Sequence, residues 1–87
     1  MQIKTTPSFL NHANKLFKRN SVLRERFKQL VEELTNDPFT PSLKTHKLSG
    51  DLKEFWSCSV TYEIRLIFKI VNNIIELIDI GTHDEVY

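Results

Sequence analysis

The sequence predicts a single α+β domain, residues 1–87, in which a hairpin of two helices packs on one face of a mainly antiparallel four-stranded sheet. Two patterns indicate this fold class. Apolar residues in the N-terminal half recur at intervals of three and four, as on one side of a helix, whereas the C-terminal half contains three runs rich in β-branched and aromatic residues. With 87 residues, 40% of them hydrophobic, the chain has material for one modest core and for no second domain.

The two predicted helices cover residues 7–18 and 21–35. Thr6 supplies a hydroxyl N-cap for the first helix, and Pro7 follows at the first helical position, where its missing N–H costs nothing. The pair Asn20-Ser21 interrupts the apolar pattern and offers an N-cap for the second helix. The apolar residues are Phe9, Leu10, Ala13, Leu16 and Phe17 in the first helix and Val22, Leu23, Phe27, Leu30, Val31 and Leu34 in the second.

The predicted order of elements is β-α-α-β-β-β. Strands are expected at residues 2–5, 55–60, 63–71 and 74–80, with a connector at 36–50 and a short polar tail at 83–87. The pair Asn72-Asn73 suits a tight turn with positive φ between the last two strands. In the strand before this turn, apolar residues alternate with Arg65 and Lys69, so these two side chains are expected on the face away from the helices.

Composition excludes several classes of protein. No apolar run is long enough to span a membrane, and the N-terminus lacks the apolar core of a signal peptide. The single cysteine, Cys58, is expected to be a small buried residue in a chain that functions in the reducing cytoplasm. The histidine and cysteine spacing matches no zinc site and no glycine-rich phosphate loop is present, so neither a metal nor a cofactor is expected.

Charge is distributed unevenly although the net charge is only +1. Residues 1–53 carry ten Lys or Arg and five Asp or Glu, whereas residues 54–87 carry two and six. A basic N-terminal part can attract phosphate, and it can equally form the solvated faces of two helices. His12, in the first helix, is expected to be a surface residue without a functional role.

Two histidines and an arginine form a set that can cleave RNA without a metal if the fold brings them together. They are His46, His83 and Arg65. One imidazole would remove the proton from a ribose 2′-hydroxyl, which attacks the adjacent phosphate, and the other would protonate the leaving 5′-oxygen. The guanidinium would stabilise the additional negative charge. Both histidines are expected outside regular structure, and a purely structural ion pair of Arg65 with Glu63 or Asp79 is the alternative.

Four segments of the chain form a specific combination, although each alone is a weak signal. They are His46-Lys47-Leu48-Ser49-Gly50, Phe55-Trp56-Ser57, Tyr62-Glu63-Ile64-Arg65-Leu66-Ile67-Phe68 and Gly81-Thr82-His83-Asp84-Glu85-Val86-Tyr87. The combination resembles the RelE/ParE superfamily of type II toxin–antitoxin toxins, most closely the YafQ-like and YoeB-like mRNA interferases. The resemblance covers the whole chain, and β-α-α-β-β-β is the order of elements in that fold.

The resemblance implies an endoribonuclease toxin that enters the ribosomal A site and cleaves mRNA there without a metal. The products would be a 2′,3′-cyclic or 3′-phosphate and a 5′-hydroxyl. The implied partners are the 70S ribosome with its mRNA and a cognate antitoxin that blocks the toxin. Operator DNA would be bound only through the antitoxin complex, and no membrane is involved.

The resemblance also implies roles by position. His83 corresponds to the general acid, Arg65 to the arginine that stabilises the transition state, and Tyr87 to a terminal aromatic residue that orients substrate. His46 and Glu63 both correspond to candidate acid–base residues, so the identity of the general base stays open. The lysines implied to contact RNA or the ribosome are Lys44, Lys47 and Lys69.

Two positions depart from the YafQ-like pattern. Ser59 occupies the place of a further active-site histidine, and Asp79 occupies the place of an arginine. A gyrase poison of the ParE type, or an inactive domain that only binds its antitoxin, are therefore alternatives, although two histidines favour RNA cleavage. The outer face of the segment 74–80 is a candidate surface for the antitoxin.

Overall fold

The computed structural model describes residues 1–87 without a gap and confirms the α+β class. The elements are β1 (Gln2–Thr5), α1 (Pro7–Phe17), α2 (Ser21–Asn36), β2 (His46–Lys47), β3 (Trp56–Ser59), β4 (Ile64–Val71), β5 (Ile74–Thr82) and α3 (His83–Val86). Two short 3-10 turns, Pro41–Leu43 and Gly50–Leu52, lie in the long connection between α2 and β3. None of the helices has the length and hydropathy that crossing a membrane requires.

The sheet has five strands in the order β1-β5-β4-β3-β2, so the prediction of four strands was wrong. β1 is parallel to β5, and the other neighbouring pairs are antiparallel. The additional strand is β2, in which His46 pairs with Ser57 and Lys47 with Trp56. A strand of two residues is too short to show alternation of polar and apolar side chains, and it therefore leaves no periodic signal in the sequence.

The two long helices begin where the sequence predicts, because both predicted caps form. The Thr6 hydroxyl accepts a hydrogen bond from the Phe9 amide at 3.2 Å and donates one to the Leu77 carbonyl at 2.9 Å, which ties the start of α1 to β5. The Asn20 side chain accepts from the Leu23 amide at 3.0 Å and caps α2. Side chains that accept from the first free amides of a helix stabilise it by about 1 kcal/mol each.

The core lies between the helical hairpin and one face of the sheet. Its buried residues are Phe9, Ala13, Leu23, Leu30, Leu34, Leu43, Cys58, Val60, Ile64, Leu66, Phe68, Ile75, Leu77 and Ile80. Phe27 of α2 joins the two helices, since its ring centroid lies 5.7 Å from that of Phe9 and 5.2 Å from that of Phe17. The hairpin therefore covers one face of the sheet and leaves the other face to different contacts.

Two residues of the predicted apolar stripes are exposed, and for them the prediction was wrong. Val22 is 79% exposed and Leu10 is 46% exposed. Successive residues of a helix are about 100° apart, so at the edge of an apolar stripe one of two adjacent residues can point into the core while the other points outward. Leu23 and Phe9 occupy that inward position, and their neighbours Val22 and Leu10 point outward.

The substitution Leu30→Ala is expected to lower the free energy of unfolding by about 2–5 kcal/mol, because Leu30 is fully buried and its removal leaves a cavity. Leu10→Ala is the matched control on the same type of element and is expected to cost less than about 1 kcal/mol. Urea unfolding followed by the fluorescence of Trp56 measures both. Equal losses in the two variants would contradict the assignment of the core face.

Candidate active site

The face of the sheet opposite to α1 and α2, called the open face below, carries a group of polar side chains. Residues paired across neighbouring strands share a face, and residues two apart in one strand do so as well. The open face therefore consists of His46 on β2, Ser57 and Ser59 on β3, and Arg65, Ile67 and Lys69 on β4. Arg65 lies where the alternation in the sequence predicts it.

Three of the five predicted catalytic residues lie together. Glu63, Arg65 and His83 line one cleft of about 400 Å³ at the end of the open face, called the catalytic cleft below because of the function proposed for it. Its other lining residues are Tyr62, Thr82 and Asp84. Glu63 directly precedes β4, Arg65 is its second residue and His83 follows β5, and the pairing of Ile64 with Thr82 brings these strand ends side by side.

Arg65 is held by a hydroxyl and not by a carboxylate. Its Nη1 donates a hydrogen bond to Ser59 Oγ at 2.5 Å across the β3–β4 pair. The alternative of a structural ion pair with Glu63 or Asp79 was wrong, because no ion pair forms at Arg65. Ser59, one of the two departures from the YafQ-like pattern, thus fixes the guanidinium and leaves its charge without a protein counterion.

Asp79, the second departure, contacts a residue of helix α1 and not Arg65. Its carboxylate pairs with His12 Nδ1 at 2.5 Å and also accepts from the amide of Ile80 at 2.8 Å. His12 therefore has a structural contact that links α1 to β5, although the sequence predicts no role for it. The aspartate is not among the residues that line the catalytic cleft.

The predicted polar tail is wrong in part, because His83 begins a short helix, α3, instead of lying outside regular structure. Thr82 and Glu85 form a reciprocal capping box at its start, and the Glu85 carboxylate accepts from the Thr82 amide at 2.8 Å. Hydrogen bonds from the backbone and the hydroxyl of Thr82 lower the pKa of Glu85. This cap holds His83 at the first position of the helix.

Gly81 allows α3 to lie directly on the open face. A Cβ atom at this position would be 3.0 Å from Glu85 Oε1 and 3.3 Å from Val86 Cγ1. Gly81 is paired with Arg65 in the neighbouring strand, so the missing side chain is on the face that carries the guanidinium. A side chain at this position would therefore require Glu85 and Val86 of α3 to shift by a few tenths of an ångström.

Tyr87, another predicted catalytic residue, contacts both His83 and Ser57. The Tyr87 hydroxyl donates a hydrogen bond to Ser57 Oγ, which is fully buried, and the Tyr87 ring stands edge-on to the His83 ring with centroids 4.4 Å apart. His46 pairs with Ser57 in the adjacent strand. Ser57 was not predicted as a site residue, although it ends the segment Phe55-Trp56-Ser57 and lies two residues before Ser59.

His46 belongs to the open face but does not line the catalytic cleft. It also lies in β2, so its predicted place outside regular structure was wrong. Its Nδ1 is 3.3 Å from the carbonyl oxygen of Lys44. A carbonyl oxygen can only accept, so this contact requires the proton on Nδ1 and leaves the lone pair on Nε2. A neutral His46 therefore presents an acceptor nitrogen to solvent.

The three predicted lysines do not form one patch. Lys69 is on the open face, 5.6 Å over the Phe55 ring and 3.8 Å from the Glu54 carboxylate. Lys47 is turned to the other face and lies 5.7 Å over the ring of Trp56. Lys44 lines a second cleft, which is separate from the catalytic cleft except at their common border.

Cys58 is fully buried in the core, as predicted. Burial raises the pKa of its thiol to about 12, although the nearby Arg65 acts to lower it. The thiol is therefore protonated at neutral pH and unsuited to nucleophilic chemistry. The chain contains no group of three or more His, Cys, Asp or Glu side chains arranged to hold a metal ion.

A helical hairpin on one face of this sheet, with a short C-terminal helix on the other, is the RelE-like fold, which the chain shares with solved structures of small toxins. The family model described as bacterial toxin of type II toxin–antitoxin system, YafQ, matches residues 1–87, and the chain belongs to this family. No curated protein sequence matches the chain.

Solved structures of several toxins share the fold over nearly their whole length. A metal-bound toxin from Helicobacter pylori is 28% identical with a TM-score of 0.84, and the match covers 100% of this chain and 99% of that one. YafQ from E. coli is 22% identical with a TM-score of 0.83, covering 99% and 97%. The E. coli DinJ–YafQ toxin–antitoxin complex gives 22% identity and a TM-score of 0.81, covering 99% and 96%.

The cap of α3 is expected to be lost in acid. Since the pKa of Glu85 is lowered in the folded chain, the cap stabilises α3 above the ordinary glutamate pKa of about 4.3 and is lost as the pH falls through the lowered value. Glu85→Gln keeps the capping hydrogen bonds without titrating. Hydrogen exchange of the Tyr87 amide, which donates to the His83 carbonyl at 3.1 Å, reports the helix. Loss of protection at the same pH in both proteins would contradict this role.

Proposed function

We propose that this toxin of the YafQ family is a ribosome-dependent endoribonuclease that cleaves mRNA by attack of a 2′-hydroxyl on the adjacent phosphate. The observation that carries the proposal is the convergence of Glu63, Arg65 and His83 on one cleft of the sheet. These residues supply the three functions that such a cleavage needs, namely a proton acceptor, a cation and a proton donor. No metal and no cofactor enters the proposed reaction.

The positions of the side chains support the following reaction. A nucleotide bound in the catalytic cleft has its scissile phosphate beside Arg65, whose guanidinium carries no protein counterion and stabilises the additional negative charge of the transition state. His83, exposed at the start of α3, protonates the 5′-oxygen as the phosphorus–oxygen bond breaks. Tyr87 packs edge-on against His83 and, through Ser57, holds the imidazole over the open face.

Glu63 is the proposed general base. It lines the same cleft as Arg65 and His83, whereas His46 lies one strand further, beside Ser57. Glu63 takes the proton of the 2′-hydroxyl, the oxygen forms a bond to phosphorus, and the products are a 2′,3′-cyclic phosphate and a 5′-hydroxyl. His46, with its free Nε2, is placed to bind the nucleotide that follows along the open face.

The proposed setting is the bacterial cytoplasm, where the ribosome presents mRNA and a cognate antitoxin blocks the free toxin. The E. coli relative is known in complex with DinJ, which supports an antitoxin as the partner of this chain. Operator DNA would be reached only through that complex. Lys44, Lys47 and Lys69 lie on different surfaces, which is compatible with contacts to separate parts of the ribosome and its RNA.

His83→Gln and Arg65→Ala are each expected to lower mRNA cleavage by about 10²–10⁴-fold, because each removes one function that acts only in the transition state. Mapping of mRNA 5′ ends in a translating lysate measures cleavage, and circular dichroism checks the fold. His12→Gln and Arg24→Ala change the same residue types outside the catalytic cleft and are the matched controls. Undiminished cleavage in both test variants would refute the nuclease proposal. DNA damage without mRNA cleavage by the unaltered chain would select a gyrase poison instead.

Glu63→Gln is expected to reduce cleavage by about 10²-fold or more, and His46→Gln by less, since only Glu63 shares the catalytic cleft with Arg65 and His83. Both substitutions preserve size and polarity, so single-turnover rates on ribosome-bound mRNA compare the proton transfer directly. The reverse order of the two effects would assign the general base to His46.

A further inference from the structure

A second and larger cleft adjoins the catalytic cleft. It has a volume of about 750 Å³ and lies between the end of α1, the first turns of α2 and the turn that joins β3 to β4. Tyr62, Glu63 and Arg65 line both clefts and form their common border. Whatever occupies the second cleft, called the helix–turn cleft below, therefore reaches the guanidinium that the proposed reaction uses.

The helix–turn cleft is cationic. Arg26, Lys44 and Arg65 line it, and none of the three forms an ion pair with a carboxylate of the chain. Arg26 is fixed by a hydrogen bond from its Nε to the Val60 carbonyl at 3.1 Å, which leaves its terminal nitrogens without a protein acceptor. Glu63 is the only acidic residue of the lining, so the cleft favours an anionic occupant.

Apolar side chains line the same cleft, and two of them are largely exposed. Val22 is 79% exposed and Tyr62 is 94% exposed, and Leu16 and Leu23 lie beside them in the lining. Exposed aliphatic and aromatic groups next to cations are typical of a surface that another protein covers. RNA supplies negative charge, but it offers no aliphatic side chain that would bury Val22.

We infer that the helix–turn cleft is the docking site for a segment of the cognate antitoxin that carries both aliphatic and acidic side chains. The aliphatic groups cover Val22 and Tyr62, and the carboxylates pair with Arg26, Lys44 and Arg65. The ion pair with an antitoxin carboxylate occupies the Arg65 guanidinium. The segment therefore inhibits cleavage, because the guanidinium can no longer bind the scissile phosphate. The inhibitory consequence rests on the proposed function, whereas the docking itself does not.

The surface that the sequence suggested for the antitoxin differs in character. On the outer side of residues 74–80, Ile74 and Ile78 are half-buried, and the charged residue between them is Glu76. Glu76 lies between Lys4 and Lys69 in the neighbouring strands, so this surface has mixed charge. It lacks the group of unpaired cations that distinguishes the helix–turn cleft. An acidic segment would therefore find less favourable electrostatic interaction on this surface.

The test uses the antitoxin that co-purifies with the unaltered chain when both genes of the operon are expressed together. Val22→Glu, which adds a negative charge at an exposed position, and Arg26→Ala are each expected to weaken the dissociation constant by about tenfold or more in calorimetric titration. Val71→Glu is the matched control, because Val71 is 47% exposed at the far end of β4 and outside both clefts. Val71→Glu is expected to leave both antitoxin affinity and mRNA cleavage unchanged.

Unchanged antitoxin affinity in both Val22→Glu and Arg26→Ala would overturn the inference. Reduced mRNA cleavage together with unchanged antitoxin affinity would overturn it in favour of RNA as the occupant. The nuclease proposal is tested by a different measurement, the mapping of mRNA 5′ ends. A negative result there does not change the antitoxin affinity measured by titration. Weakened antitoxin binding by a chain that cleaves no mRNA would support the docking site and refute only the nuclease.

Discussion

The alternation of side chains along β4 is the constraint on which both the core and the candidate active site depend. Leu66 and Phe68 point to the helical hairpin and are fully buried, which obliges Arg65 and Ile67 to point to the open face. A shift of one residue would place the guanidinium in the core, where an unpaired charge is costly. The hydrophobic contacts that stabilise the domain therefore also hold Arg65 on the open face, where the proposed reaction requires it.

The C-terminal helix depends on contacts that a four-residue segment does not supply by itself. Isolated helices of this length are unstable in water. Here the capping box between Thr82 and Glu85, the close approach over Gly81 and the bond from Tyr87 to Ser57 together fix α3 on the open face. The position of His83 is thus determined by three small contacts around it, and not by burial of the imidazole, which is largely exposed.

The sequence predicts the elements with strong periodicity and misses those determined by tertiary contacts. The ends of α1 and α2 lie within one residue of the prediction, because Thr6, Asn20 and the apolar stripes are local signals. β2 and α3 are too short for any periodicity. The open-face position of Arg65 follows from alternation, but its nearness to His83 depends on pairing between distant strands. The partners of Arg65 and Asp79, namely Ser59 and His12, could not be predicted, since either residue has several candidate partners in the sequence.

The pairing of Asp79 with His12 gives Arg65 its particular importance. Where the YafQ-like pattern has an arginine, this chain has a carboxylate already engaged by an imidazole, and Arg65 is the only lysine or arginine that lines the catalytic cleft. Glu63 and Asp84 line the same cleft, so without Arg65 the local charge would repel a phosphate. In the proposed reaction, charge stabilisation therefore depends on one guanidinium held by Ser59. An inhibitor needs to engage only that group, and the border that the helix–turn cleft shares with the catalytic cleft contains it.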